Sequence, residues 1–226
     1  MKPRKAFIKN KTLCYFRSLP PKAITLPLDI IASVHSLNNC ATMTYQEFAQ
    51  RHKITTEQVV RYNESENGAT HYDTENNRYL ILYNDDPMHN IKERQRFTVA
   101  HEVGHILLGH LPYIMEHKIA MDNIVSQNYP LFEQEADWCA SILLCPFPVL
   151  QELNIKSPEE IRKLCGLSVQ ASLIKYEQYS RWLLDRRRTA WNNDIKRIFS
   201  PFIYEHKNHA TTANRIPKLT ISAPSI

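Results

Sequence analysis

The stretch RQRFTVAHEVGHILLGH, residues 94–110, sets the strongest constraint on what this 226-residue chain can become. Its apolar positions Phe97, Ala100, Val103 or Gly104, and Leu107 recur at helical spacing. Asn90 with Glu93 reads as a capping box ahead of the helix, and Gly109 followed by Pro112 supplies the stop. Three costly polar side chains, His101, Glu102 and His105, fall on one turn of it. Each helical residue turns about 100°, so the two histidines lie within about 40° of each other and one turn apart, where both imidazoles reach one ion. Zinc accepts imidazole nitrogen at about 2.0–2.1 Å, and a rigid helix loses little entropy in presenting two such ligands.

Glu102 shares the half-cylinder but points away from the shared ion, which suits it to a water molecule. Zinc lowers the pKa of its water towards 7, and a carboxylate then takes the proton as that water attacks a carbonyl carbon. HEVGH therefore reads as HExxH, with His101 and His105 as Zn²⁺ ligands and Glu102 as general base and acid. An open catalytic site needs a third protein ligand, and EQEAD at 133–137 is the source. Glu133 and Glu135 are about 200° apart round a helix, so only one of them faces the ion. Spacing does not choose between them, because both flank the inner stripe.

The rest of the chain reads as mostly helical. Only 4 glycines, with 43% hydrophobic and 23% charged residues, argue against a loop-rich or all-β design. A short helix fits Pro27–Leu37, and Thr44 with Glu47 and Thr55 or Thr56 cap two more. YLILY, residues 79–83, reads as a strand after the polar stretch GATHYDTENNR. It serves either as an edge that pairs with an extended substrate or as a buried strand. Residues 113–130 read as a loop or flap, after which Pro130 opens a helix that Pro146 and Pro148 end. His110, near the end of the HExxH helix, reads as a contact to the helix dipole. Ser157 and Ser168 cap a final helix pair, which fits either a helix-turn-helix reader of DNA or a surface docked on the core through Leu164, Leu167, Val169, Leu173, Ile174, Tyr176 and Trp182. Docking is the preferred reading.

The expected organisation is a basic N-terminal extension at 1–20, a core domain at 21–150, a C-terminal helical region at 151–202 and a mobile tail at 203–226. The net charge of +5 sits partly in MKPRKAFIKNK and DRRR and reads as solvated faces, so direct nucleic-acid binding is not favoured. Five cysteines without a CxxC pair fit neither a disulfide framework nor a zinc knuckle. No stretch approaches about 18 uninterrupted apolar residues and no apolar segment follows the basic start, so the expectation is a cytoplasmic protein with no membrane partner.

RFTVAHEVGHILLGH and EQEADWCASILLCP resemble the two signature segments of the ImmA/IrrE family of zinc-dependent metallopeptidases, and YLILYND is similar to the strand that leads into the family's metal helix. The resemblance covers about residues 72–182 and is specific over 79–146. It implies an α+β, mostly helical, zincin-like metallopeptidase fold with a small β-sheet supporting the HExxH helix. It places the third ligand on the glutamate immediately before the alanine, Glu135, and lets Asp137 support the site. It further implies a regulatory peptidase, often associated with mobile elements, whose protein substrate is a helix-turn-helix repressor. The alternative is a non-proteolytic regulator that keeps the metal site and binds a repressor or DNA.

Overall fold

In the computed structural model, which describes residues 2–88, 90–118, 122–185 and 189–213, the basic N-terminus is a packed helix rather than an appended extension. This helix, α1 (Lys5–Ser18), buries Ile8, Leu13, Tyr15 and Phe16 and keeps its lysines at least partly exposed, so a segment charged by composition is amphipathic by position. After a 3₁₀ turn at Pro21–Ala23, Asp29 caps α2 (Ile30–Ser33) by accepting from the Ala32 N–H, and a second 3₁₀ turn covers Val34–Ser36. The helix expected from Pro27 is thus shorter and starts later.

Strand β1 (Cys40–Thr44) leads into α3 (Tyr45–His52) and α4 (Thr56–Asn63). Both helices open with complete capping boxes, Thr44 with Glu47 and Thr55 with Gln58, as their local spacing requires. The polar stretch that follows is β2 (Gly68–Asp73), hydrogen-bonded antiparallel to β3 (Arg78–Tyr83). The sheet order is β1-β3-β2, with β1 parallel to β3. YLILY is therefore the central strand and its backbone is paired on both sides; the edge positions belong to β1 and β2. Ile81 and Tyr83 face the main core, while Leu80 and Leu82 face a smaller cluster of Tyr45, Ala49 and Val59 under α3 and α4. Burial on both faces explains the unbroken apolar run.

The HExxH helix is α5 (Lys92–Leu108), and Gly109 ends it in the left-handed conformation with φ 71°. Ile91, not Asn90, occupies its capping position, and no side chain caps it. Asn90 is buried and donates from Nδ2 to the Asn84 carbonyl at 2.7 Å, so it holds the turn between β3 and α5 instead. The segment expected as a flap is largely helical, in α6 (His110–Lys118) and α7 (Asp122–Leu144), with 119–121 outside the described residues. Pro130 lies inside α7 rather than at its start. Next come α8 (Phe147–Glu152), α9 (Pro158–Cys165) capped by Ser157, and α10 (Val169–Leu184) capped by Ser168. The chain continues through α11 (Ala190–Ile198) into α12 (Ser200–Ala213), so the expected tail begins as a helix with Ile203 buried. Residues 214–226 of that tail lie outside the described residues.

The architecture is α+β and mostly helical. One apolar cluster runs from Ile8 of α1 to Ile203 of α12 and contains Val99, Ala100 and Val103 of α5 with Cys139, Ala140 and Leu143 of α7. Ile161, Leu164, Cys165 and Tyr179 join it, so the last helices dock on the core, although Val169, Leu173 and Ile174 stay exposed. Arg96 of α5 fastens them, donating to the carbonyls of Cys165 at 3.0 Å, Gly166 at 2.5 Å and Leu28 at 3.0 Å. Removing that guanidinium leaves three carbonyls of a part-buried junction without their donor, each costly to leave unmade. We expect Arg96→Leu to lower unfolding stability by about 2–3 kcal/mol, read as a lower urea midpoint with unchanged slope.

Candidate metal centre

The site exists because two helices approach unusually closely. A Cβ built on Gly104 of α5 lies 3.0 Å from the Ala136 carbonyl oxygen and 3.1 Å from the Ala136 Cα of α7. With no side chain there, α7 comes near enough for Glu133, one turn before Ala136, to reach the imidazoles of α5. His101 Nε2 and His105 Nε2 are 3.0 Å apart, and Glu133 stands 3.2 Å from the first through Oε2 and 3.3 Å from the second through Oε1. Four-coordinate zinc with ligands at about 2.0–2.1 Å separates neighbouring donor atoms by roughly 3.3 Å, so two imidazole nitrogens and a carboxylate form a triangle of the right size and donor type. Among the described residues these three form the group able to hold a metal ion.

The structure does not bring Glu135 to this triangle. The resemblance pointed to Glu135 as third ligand; instead it is 0% exposed on the other side of α7. Arg4, ahead of α1, holds it with its backbone N–H at 2.7 Å and with Nε and Nη2 at 3.1 and 2.6 Å, while His110 Nε2 lies 3.2 Å away. The reason is the rotation between the two residues: with Glu133 in the cleft, Glu135 must point roughly backwards, where a cation waits.

Both imidazoles are oriented from behind, as ligand histidines generally are. His101 Nδ1 donates to Asp137 Oδ1 at 2.9 Å. His105 Nδ1 lies 3.1 Å from His110 Nδ1, and His110 is 1% exposed rather than resting on the end of the helix. Burial, helped by His105, pushes His110 down to about 4 against the pull of Glu135, so its ring is neutral near pH 7. A neutral His110 accepts from His105 through Nδ1 and donates to Glu135 through Nε2, which turns His105 Nε2 towards the triangle and the Glu133 carboxylate. Burial disfavours charge on His101, but Asp137 and Glu133 outweigh it and raise the group to about 10. Hydrogen bonds from His101 and then His105 hold the Glu133 carboxyl far below the usual carboxylate range.

A cleft of about 830 Å³ opens over the triangle and is lined by Glu102 together with Gly68, Ala69 and Thr70 of β2. Thr70 donates to Glu102 Oε2 at 2.6 Å and so fixes one carboxylate oxygen. Tyr129, one turn before Glu133, also lines the cleft, and burial followed by the Glu133 charge raises its phenol pKa. Neither Thr70 nor Tyr129 is marked in the sequence. Thr70 sits in a stretch that looks like a turn, and Tyr129 in one that looks like a loop.

Residues 49–177 match the family model described as the IrrE N-terminal-like domain, and the chain belongs to that peptidase M78 family. The match runs from α3 into α10, so it includes both helices of the centre and leaves Arg4 outside. Comparison with curated proteins finds no match.

The geometry separates the two glutamates experimentally. Glu133→Gln is expected to lose stoichiometric metal, measured by elemental analysis after dialysis. Glu135→Gln is expected to keep it with affinity about 10–100-fold weaker, as for other groups that orient ligands, read by chelator competition. The reverse pattern returns the ligand role to Glu135.

Proposed function

We propose that the chain is a zinc-dependent endopeptidase acting on a protein substrate, with His101, His105 and Glu133 as ligands and Glu102 as general base and acid. The observation that carries this reading is the donor triangle set beside a tethered carboxylate in an open cleft. Membership of a peptidase family supports it from an independent direction. A zinc ion in the triangle supplies Lewis acidity and acidifies water at the site.

The chain's own residues do the rest. Glu102 accepts the proton of the attacking water and returns it to the leaving nitrogen; the Thr70 hydroxyl holds one of its oxygens, leaving the other for the proton. Asp137 and the His110–Glu135–Arg4 series orient the two ligand rings so that Nε2 of each faces the triangle. The edge strand β2 borders the cleft through Gly68, Ala69 and Thr70, which suits an extended polypeptide adding its main chain to the sheet. The resemblance to ImmA/IrrE peptidases makes a helix-turn-helix repressor the proposed substrate. No helix among the described residues is long and apolar enough to cross a membrane, and we take the cytoplasm as the place of action.

The test is Glu102→Gln against the repressor encoded nearest the protein's own gene. The parent protein should produce new termini, mapped by mass spectrometry, and the variant should bind zinc equally while cleaving about 10²–10⁴-fold more slowly. A variant that retained the full biological effect would sink the proteolytic reading and favour a regulator that acts by binding.

A further inference from the structure

The cleft over the triangle has a neighbour. Phe97 and Asp137 line both it and a second groove of about 940 Å³ that runs between α1, α7, α10 and α11. The walls of the second groove are rich in aromatic and aliphatic surface, and all three tryptophans of the chain, Trp138, Trp182 and Trp191, stand in them.

Its charge is one-sided. Among the described residues that line it, Lys5, Lys9 and Lys175 face one carboxylate, Asp137, whose Oδ1 is engaged by His101. Lys5 Nζ lies 5.4 Å from the centre of the Trp138 ring and Lys9 Nζ 5.2 Å from that of Trp191, so two ammonium groups rest on aromatic faces. Lys175 sits deeper and donates to Ser141 Oγ and to Gln178 Oε1, both neutral acceptors. Among the described residues no carboxylate reaches Lys175 within ion-pair distance. Burial lowers its pKa despite nearby Cys145 and Asp137, the expected response of a buried ammonium whose hydrogen-bond partners are neutral. An apolar trough with a poorly compensated cation in its wall is built for a ligand that brings both apolar surface and negative charge.

We propose that this groove is a substrate subsite that takes an acidic side chain next to a large apolar one on the polypeptide flanking the scissile bond, with Lys175 as its specificity-determining residue. The inference rests on the peptidase reading above, because the groove meets the metal cleft at Phe97 and Asp137 and one extended chain spans both. The chain's own residues 214–226 are a poorer occupant: they carry Arg215 and Lys218 and no acidic side chain.

Because every tryptophan lines the groove, intrinsic fluorescence reports its occupancy. The experiment titrates metal-loaded Glu102→Gln protein with capped hexapeptides that differ only in Glu, Gln or Lys beside a leucine. In parallel, metal-loaded parent protein digests a randomised peptide library, with cleavage sites read by mass spectrometry. The Glu peptide should bind about tenfold more tightly than the Lys peptide, the size of effect one well-placed charge pair produces. Lys175→Met should level that difference and Lys175→Glu should reverse it, with bound zinc unchanged. Lys175→Gln, which keeps a donor for Ser141, serves if the methionine variant does not fold. Library cleavage should favour Asp or Glu near the cut in the parent and lose that bias in the variants. Equal binding of all three peptides, a preference for the basic one, a preference that survives Lys175→Met, or no fluorescence change up to millimolar peptide overturns the subsite. Charge-selective binding without any cleavage counts against the peptidase reading and leaves the subsite standing; cleavage without acidic bias does the opposite.

Discussion

The approach of α5 to α7 at Gly104 is the constraint on which the centre depends. A Cβ there would press within about 3 Å of the Ala136 backbone and within 3.2 Å of Cys139 Cβ, and backbone cannot swing aside as a flexible side chain does. Overpacking of this kind ordinarily costs about 1–3 kcal/mol, but the geometric consequence is the more severe. A donor triangle tolerates displacements of only about 0.5 Å, so spreading the helices would separate Glu133 from both imidazoles while leaving the fold recognisable. The apolar stripe of Val99, Ala100 and Val103 against Cys139, Ala140 and Leu143 supplies the force that keeps the helices together.

Behind the triangle, the acidic residues of α7 divide their work by helical angle. Glu133 and Asp137, four residues apart, share the cleft side, one beside both imidazoles and the other on His101 Nδ1. Glu135 faces the opposite way into the protein, where an unpaired carboxylate would be expensive. Arg4 and His110 meet it there, and the same contacts tie the start of α1, the junction of α5 and α6, and α7 into one unit. Arg4 lies outside the segment matched by the family model, so the centre is braced by a residue just ahead of α1.

The C-terminal helices belong to the same construction. Arg96 anchors their turn to α5, and α10 then supplies Lys175 and Trp182 to the groove that adjoins the metal cleft. A helix pair that sequence alone admits as a DNA reader is thus engaged on its buried side, through Leu164 and Leu167, with the core of the peptidase domain. Ile174, Lys175, Gln178 and Trp182 of α10 form one wall of that groove.

Short-range features were readable in advance. His101, Glu102 and His105 share one side of a helix because rotation per residue is a local property, and the boxes at Thr44–Glu47 and Thr55–Gln58 close within four residues. Asn90 escaped the same logic because Asn84, six residues back, competes for its side chain. Polar residues 68–73 became a strand because β3 supplied a partner, which local composition does not reveal. The choice between Glu133 and Glu135 belongs to the same class. Sequence alone determined that the two point in opposite directions, since helical periodicity sets relative angles. Only the tertiary structure decided which one meets the histidines, because the absolute rotation of α7 is set by what it packs against: a missing side chain at Gly104 and an arginine 131 residues away in the chain.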